Sequence, residues 1–393
     1  MRILLGSGFF ESELPSFREY SYSKELAALG HEVTLLCGDQ SYVWKRSRVR
    51  LPETLPGRND AEFAATTGVR VLRRRVFFRV SDFVLYWPAI GEIRRADVVH
   101  VIEFRQGITV VIALLARLFG KPVVYDHEQR GDRTEKWYSR VDSAFRRVLI
   151  FIGSLTVSHM RHTVLANREH FLSCTPRNVP TMFAPLGVDP QRFYYDAAAR
   201  ERIRAELGLN PHEQVAVMSG KLHRHKRVHD VAMACEKAGV RLILVGTISP
   251  DVAQQLATLR PGATIALPQA VPERLRDIYN AADFAIFTTF SVSYWEAYST
   301  GLHLLLPNTA FTSHVFANDP HVTPFGDAAM FRVPDEEYRE GVDISDAMIV
   351  ALRTEAPGDR RSRVRFSAAD QGALLADLYA SLLPTAPPGA VLR

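Results

Sequence analysis

The sequence has few cysteines and no long apolar segment, and both absences narrow the class of protein. Three cysteines occur among 393 residues, Cys37, Cys174 and Cys235. They lack the spacing of a metal site and are too few for a disulfide framework. The best apolar run, GITVVIALLARLFG, is interrupted by Arg117 and is too short to span a bilayer. We therefore expect neither a disulfide scaffold nor a membrane-spanning protein.

The N-terminus lacks the pattern of a secretory signal. Met1 is followed at once by a buried-strand pattern, not by charged, apolar and small-residue regions in series, which predicts a cytoplasmic location. A strong charge imbalance is also missing. The net charge of +5 suits an anionic ligand or an anionic lipid surface, but it is far from the signature of a nucleic-acid-binding protein. We expect no nucleic-acid partner.

Apolar strands alternate with amphipathic helices along most of the chain. The run RILL is followed by Gly-Ser-Gly, a helical segment that ends at Gly30 and a second strand. ADVVHVIE and KPVVYDHE continue the series, and a new series starts at QVAVMSGKL. This alternation is typical of parallel sheets covered on both faces. We predict an α/β protein with two Rossmann-like, doubly wound domains facing a central cleft, where a ligand should bind.

The length also favours two domains. We place an N-terminal domain at 1–190 and a C-terminal domain at 191–365. An amphipathic helix at 366–383 could pack back on the N-terminal domain. The last residues, 384–393, have the composition of a loose tail.

The segment SGKLHRHKRVHD has the composition of an anion-binding loop. A strand ends at Gly220, a helix starts near Arg227, and Lys221 and Lys226 lie between them. Unpaired N–H groups at a helix start and two ammonium groups favour a phosphate. A solvated basic loop would have the same pattern, so both interpretations stay open at this stage.

Three histidines in this loop, His223, His225 and His229, raise the question of a zinc site. They lie among lysines and arginines, without a carboxylate or thiolate to neutralise a dication. We therefore predict no metal ligands there, and histidines that contact phosphate or solvent.

His127 follows the strand PVVYD, at a strand end where sites form in such sheets. The alternative is a polar residue satisfied in a surface loop. Gly6 and Gly8, after the first strand, would let the backbone approach a ligand closely. With no third glycine in place they are only a fragment of a dinucleotide motif.

Glu296 opens a short helix after a segment rich in hydroxyl groups, TTFSVS. A carboxylate at this position stabilises a helix dipole even without a ligand. The hydroxyls of Thr288, Ser291 and Ser293 at the end of a strand also suit phosphate and sugar groups. Both interpretations of Glu296 are kept.

The segment VRVLRRRVFFRVSDFVLYWP mixes arginines with aromatic residues. One interpretation is a contact with a membrane surface or a lipid acceptor. The other is a basic strand whose alternate residues are buried. On the first, the protein would lie peripherally at the inner face of a membrane.

Taken in order, these features resemble the family-4 glycosyltransferases, which are retaining nucleotide-sugar enzymes with the two-domain GT-B fold. The likeness covers nearly the whole chain and rests on the order and spacing of a series of motifs: GHEVTLLCG, ADVVHV, GKPVVYDH, APLGVDPQRF, SGKLHRHKRVHDV, LILVG, IYNAADFAIF and EAYSTGLHLLLPN.

The resemblance implies roles for individual residues. Lys221 and Lys226 match the pair that grips the donor diphosphate, although the family usually has arginine at the first position. Glu296 matches the second of two glutamates and implies a contact with the donor ribose. His127 matches a histidine near the donor sugar. Gly6 to Gly8 matches a glycine loop near the diphosphate or acceptor. The resemblance also implies that 1–190 is the acceptor-side domain and that 191–365 is the nucleotide-sugar-binding domain.

Two positions depart from the family pattern. The first glutamate falls on Thr288, and the second histidine of the usual HVH motif falls on Ile102. These departures concern how the donor sugar is held.

The resemblance implies a retaining, metal-independent, hexosyltransferase-like enzyme that moves a sugar from a nucleoside diphosphate to a hydroxyl acceptor and needs no cofactor. The acceptor could be a glycan, a lipid-linked glycan or a small natural product. The alternatives are a non-hydrolysing nucleotide-sugar epimerase, which shares this architecture, and a catalytically degenerate nucleotide-sugar-binding protein. The sequence does not indicate an oligomeric state.

Overall fold

The computed structural model describes residues 1–12, 18–40, 59–128, 137–327, 330, 342–353 and 360–384. Most of the predicted tail lies outside these ranges. The chain divides into two compact units, one formed by Met1–Leu186 with Ala368–Arg393 and the other by Gly187–Ser367. The division falls a few residues from the predicted boundaries, and the C-terminal helix belongs to the first unit.

The first unit contains a sheet of parallel strands in the order β3-β2-β1-β6-β7-β8-β9, with an antiparallel hairpin, β4-β5, beside it. The described strands are β1 Arg2–Gly6, β2 Glu32–Gly38, β3 Arg70–Arg74, β4 Val76–Val80, β5 Phe83–Tyr86, β6 Val98–Ile102, β7 Val123–His127, β8 His159–His162 and β9 Thr181–Phe183. The described helices are α1 Arg18–Ala28, α2 Asp60–Thr67, α3 Ile90–Arg95, α4 Ile108–Leu118, α5 Trp137–Ser154, α6 Leu165–Cys174 and, from the C-terminus, α14 Ala368–Leu382.

The second unit contains a parallel sheet in the order β12-β11-β10-β13-β14-β15. Its described helices are α7 Ala197–Glu206, α8 Val228–Ala238, α9 Pro250–Leu256, α10 Pro272–Ala281, α11 Ser293–Ser299, α12 Ala310–Val315 and α13 Ser345–Leu352. Its strands are β10 Val215–Leu222, β11 Arg241–Ile248, β12 Thr264–Leu267, β13 Phe284–Ile286, β14 His303–Pro307 and β15 Val322–Phe325.

The central strands are apolar because helices cover both faces of each sheet. β6 and β14, for example, are buried along their whole length. The predicted α/β class, with two parallel Rossmann-like sheets, is confirmed.

Helix α14 packs against α1 within the first unit. Gly372 lets the two helices approach, since a Cβ added there would lie 2.5 Å from the Cβ of Glu25. Leu375 and Tyr379 are buried, and the Tyr379 hydroxyl lies 2.5 Å from His100 Nδ1 on β6. The C-terminal helix therefore completes the core of the N-terminal sheet.

Candidate functional site

The ends of β10 and β11 approach closely at two paired glycines. Gly220 lies opposite Gly246 in the parallel register, and both have positive φ, +100° and +133°. A Cβ on Gly246 would lie 2.0 Å from the carbonyl oxygen of Gly220, which excludes any larger residue. A Cβ on Gly220 would lie 3.4 Å from Lys226 Nζ. The ammonium group of Lys226 therefore lies over the bare backbone at the carboxyl end of β10.

Lys226 is half-buried in a positive environment. Burial lowers its pKa, and the nearby charge of Lys221 lowers it further. Partial desolvation also lowers the pKa of Lys221. No carboxylate forms an ion pair with Lys226 in the part of the chain that the structure describes. A bound anion would stabilise the charged forms of both ammonium groups.

Thr288 forms a hydrogen bond with the backbone of this loop. It lies two residues after β13 and is 1% exposed, and its hydroxyl donates a 2.6 Å hydrogen bond to the carbonyl oxygen of Lys226. The structure thus uses the hydroxyl proton to position the Lys226 backbone. The predicted contact of Thr288 with the donor stays a prediction.

Glu296 lies in the first turn of α11 with a half-buried carboxylate. Burial raises its pKa to about 7, although a hydrogen bond from Ser293 and the charge of Arg192 act in the opposite direction. Its charge also raises the pKa of Tyr279, after the larger effect of burial. Tyr279 in turn bonds Ser219 at 2.7 Å, next to Gly220. The Ser293 hydroxyl bonds both Glu296 and Tyr279, so Glu296 lies near the tyrosine that contacts the end of β10.

Ser291 and Ser293, which we predicted to contact the donor, form hydrogen bonds with residues of their own turn. Ser291 Oγ accepts a 3.3 Å hydrogen bond from the backbone N–H of Ser293. The Ser293 hydroxyl bonds Glu296, so it orients the carboxylate. Their contacts with a donor stay predictions.

His127 is the last residue of β7 and is fully buried. Its Nδ1 lies 2.7 Å from the Tyr125 hydroxyl and its Nε2 lies 2.9 Å from His170 Nδ1 on α6. Burial is the main reason that its pKa falls to about 3, so the ring is neutral at physiological pH. Both ring nitrogens are engaged inside the first unit, and the predicted catalytic role stays a prediction.

Gly6 and Gly8 approach the protein's own side chains. The backbone N–H of Gly8 donates to Gln106 Oε1 at 2.5 Å. A Cβ on Gly8 would lie 2.6 Å from Val84, and one on Gly6 would lie 3.1 Å from Ile112. Internal packing explains both glycines, and a ligand contact stays a prediction.

A buried ionic cluster beside His127 was missed by the sequence reasoning. Asp126 lies 2.8 Å from Arg161 and 3.2 Å from His100 Nε2, and all three side chains are at most 1% exposed. Burial opposes ionisation of Asp126, yet Arg161 and His100 outweigh it and hold the pKa of the carboxyl well below its usual range. Arg161 also lies over the ring of Tyr22 at 4.6 Å. The only local signal was a charged residue inside an apolar strand pattern.

The three histidines of the lysine loop do not converge. The rings of His223 and His225 stack at 5.7 Å, and His229 faces Asp230 at 3.9 Å. Among the described residues there is no group of three or more His, Cys, Asp or Glu that could hold a metal ion. A metal-independent site stays a prediction.

Comparison with known proteins supports the assignment of the fold. No family model matches the sequence. Two curated relatives are similar over part of the chain, both named D-inositol 3-phosphate glycosyltransferase. The Rhodococcus opacus (strain B4) protein is 26% identical over 174 residues, 37% of this chain and 39% of that protein. The Rhodococcus erythropolis (strain PR4) protein is 28% identical over 156 residues, 33% and 35% of the two chains. The chain thus matches well under half the length of these relatives.

Two solved structures are similar over almost the whole chain. Sucrose-phosphate synthase from Thermosynechococcus elongatus has a TM-score of 0.61 at 15% identity, covering 97% of this chain and 98% of that one. HepE from Anabaena, in complex with UDP, has a TM-score of 0.64 at 13% identity, covering 97% and 100%. The two-domain GT-B fold predicted from the sequence is confirmed, and the two curated relatives support the resemblance to group 1 glycosyltransferases.

Proposed function

We propose that the protein is a retaining glycosyltransferase that moves a sugar from a nucleoside diphosphate sugar to a hydroxyl acceptor. The observation that carries the proposal is the pair Lys221 and Lys226 at the end of β10. Both have a lowered pKa, and Glu296 lies near Tyr279, which bonds Ser219 on the same strand. Such a donor contains a diphosphate, which suits the two ammonium groups, and a ribose, whose hydroxyls suit a carboxylate.

In the proposed reaction the bond between the anomeric carbon and the diphosphate oxygen breaks, and a bond to the acceptor oxygen forms on the same face. The departing phosphate takes the acceptor proton. Charge develops on the diphosphate as it leaves, and Lys221 and Lys226 are preorganised to stabilise it. This requires no metal.

Glu296 is proposed to accept hydrogen bonds from the ribose hydroxyls. HepE, a structural neighbour, has been solved with UDP-glucose, which makes uridine diphosphate sugars the first donors to test. The three buried free thiols, Cys37, Cys174 and Cys235, suit a reducing compartment, and we propose that the enzyme works in the cytoplasm.

A panel of UDP, GDP, ADP and dTDP sugars tests the proposal. A donor that binds only the folded protein, at about a hundred times its Kd, should add ~2.7 kcal/mol to the stability. Released nucleoside diphosphate in the presence of an acceptor would indicate transfer. Isomerised donor without acceptor would instead indicate an epimerase, and binding without either product would indicate a degenerate binding protein.

We expect Glu296→Gln to weaken nucleoside diphosphate binding by about tenfold or more, because charge-assisted hydrogen bonds to ribose contribute ~1.5 to 3 kcal/mol each. Since the pKa of Glu296 is raised to about 7, its advantage over Gln should grow as the pH rises from acid through 7. The raised pKa also means that ionisation of Glu296 costs stability, so Gln should not destabilise the protein at alkaline pH.

Calorimetric titrations of both proteins at acid and alkaline pH measure this difference. Glu236→Gln is the matched control, since Glu236 lies on α8 of the same unit and pairs with Arg260 at 3.5 Å. Equal affinities of parent and Glu296→Gln at alkaline pH would indicate that Glu296 stabilises the helix dipole and does not bind the ribose.

We expect a chelator to leave the initial rate unchanged. The histidines of the lysine loop lie in a cationic neighbourhood that disfavours a dication. Rates are compared before and after EDTA treatment, with zinc and magnesium added back in separate samples. Activity that falls on chelation and returns with either ion would show that metal ligands were overlooked.

A further inference from the structure

The hairpin β4-β5 exposes large apolar side chains that the core of the first unit does not cover. Trp87 is 77% and Phe77 is 58% exposed, and the centroids of their rings are 5.6 Å apart. Phe78 and Val80 on the same strand are also exposed. Single exposed apolar residues are ordinary, but a contiguous group of aromatic residues indicates an interaction surface.

The group continues onto helix α5. Phe83 on β5 contacts Phe78 at 6.0 Å and Phe145 on α5 at 5.5 Å. From Phe145 the helix exposes Val148 and Phe151 as well, at a spacing that keeps them on one face. We call the exposed set the aromatic face: Phe77, Phe78, Val80, Trp87, Phe145, Val148 and Phe151.

The opposite side of the hairpin anchors it to the unit. Val84 and Tyr86 are buried, and the Tyr86 hydroxyl donates to the carbonyl oxygen of Ser7 at 2.8 Å. The guanidinium of Arg79 lies over the ring of the buried Phe9 at 4.7 Å. The exposed rings are thus presented on a fixed support.

The charge around the aromatic face is positive. Residues 70–87 contain five arginines and one acidic residue, and that residue, Asp82, pairs with Arg105 at 3.3 Å. Arg74 and Arg75 are exposed, and neither forms an ion pair with a carboxylate in the described ranges. Trp and Phe beside arginines suit the boundary between lipid headgroups and acyl chains, and the positive charge complements an anionic lipid surface.

We propose that the aromatic face binds the surface of an anionic lipid bilayer, with its rings at the headgroup boundary and Arg74 and Arg75 among the lipid phosphates. The proposed contact is peripheral, at the surface of the bilayer. None of the described helices is long and apolar enough to cross a membrane. The proposal does not depend on the proposed transferase activity, because it concerns binding to lipid without donor or acceptor.

Vesicle sedimentation with the full chain tests the proposal. The protein should bind vesicles of phosphatidylcholine mixed with phosphatidylglycerol, bind phosphatidylcholine alone far more weakly, and dissociate at high salt. Phe77→Ser combined with Trp87→Ser should lower the partition coefficient at least tenfold. The matched control is Val271→Ser with Val350→Ser, two exposed apolar residues of the second unit, which should bind as the parent does.

Arg74→Gln with Arg75→Gln provides a second test that leaves every apolar contact in place. Each arginine near an anionic surface should change binding about fivefold, so the pair should lower it by roughly 25-fold. Thermal unfolding checks that each variant folds. Equal binding of parent and both double variants would overturn the proposal. So would a parent that ignores anionic vesicles and self-associates through the aromatic face.

Discussion

Lys226→Ala is expected to lower kcat by about a hundredfold or more at saturating donor, because in the proposed reaction it removes a preorganised hydrogen-bond donor to the leaving diphosphate. The variant should destabilise the transition state more than the bound donor, since in the proposed reaction the diphosphate gains negative charge as the sugar departs. The variant should still fold. Burial and Lys221 already disfavour the charged form of Lys226, so its removal relieves repulsion in the folded protein.

The matched control for this variant is Lys237→Ala, an exposed lysine in the last turn of α8 in the same unit, which should leave the rate unchanged. Thr288→Val keeps the ammonium group but removes the hydrogen bond to the Lys226 carbonyl, and its rate should lie between those of parent and Lys226→Ala. Initial rates and calorimetric affinities for the nucleoside diphosphate measure the series. A Lys226→Ala enzyme as fast as the parent would refute the diphosphate assignment.

Arg161→Leu is expected to lower the free energy of unfolding by ~3 to 5 kcal/mol, the usual cost of removing one partner from a buried ion pair. The variant leaves Asp126 buried with His100 at 3.2 Å and Arg18 at 3.5 Å as its remaining partners, and it also removes the contacts of Arg161 with Tyr22 and the carbonyl oxygen of Pro185. Arg2→Leu is the matched control. Arg2 pairs with Asp97 at the surface, and its loss should cost about 1 kcal/mol or less.

Urea unfolding of parent and both variants measures the difference. The pKa of Asp126 is held well below its usual value, so its ionised form stabilises the parent above the ordinary carboxyl range, and this contribution declines as the pH falls below that range. The difference in the free energy of unfolding between the parent and Arg161→Leu should therefore become smaller in strong acid. A variant at neutral pH as stable as Arg2→Leu would contradict the prediction.

The strands were predictable because local sequence determines them. The runs at β1, β7 and β10 are apolar over the length of a buried strand, and glycines such as Gly30 follow the helices. The hairpin β4-β5 was not predicted as a pair, because its apolar residues point both inward, as Val84 does, and outward, as Phe77 does. The sequence of this two-stranded sheet therefore shows no clear alternation of apolar and polar residues.

The candidate site was predictable only in part, for a related reason. The loop with Lys226 follows a strand and contains its own charges, so its character is local. The environment of His127 depends on His170, 43 residues away in the chain, and that of Thr288 depends on a carbonyl 62 residues away. No local pattern reports such partners, so a residue at a strand end can equally well face a ligand or the core.

The return of α14 to the first unit has a consequence for synthesis on the ribosome. The second unit is one continuous stretch whose ends meet, since the N–H of Val188 donates to the carbonyl oxygen of Phe366 at 2.9 Å, so it can close as soon as it has emerged. The first unit, although translated first, must wait for Leu375 and Tyr379 to cover its sheet. A nascent chain released before these residues would carry a finished second unit and an open N-terminal core, which is the state that chaperones and proteases recognise.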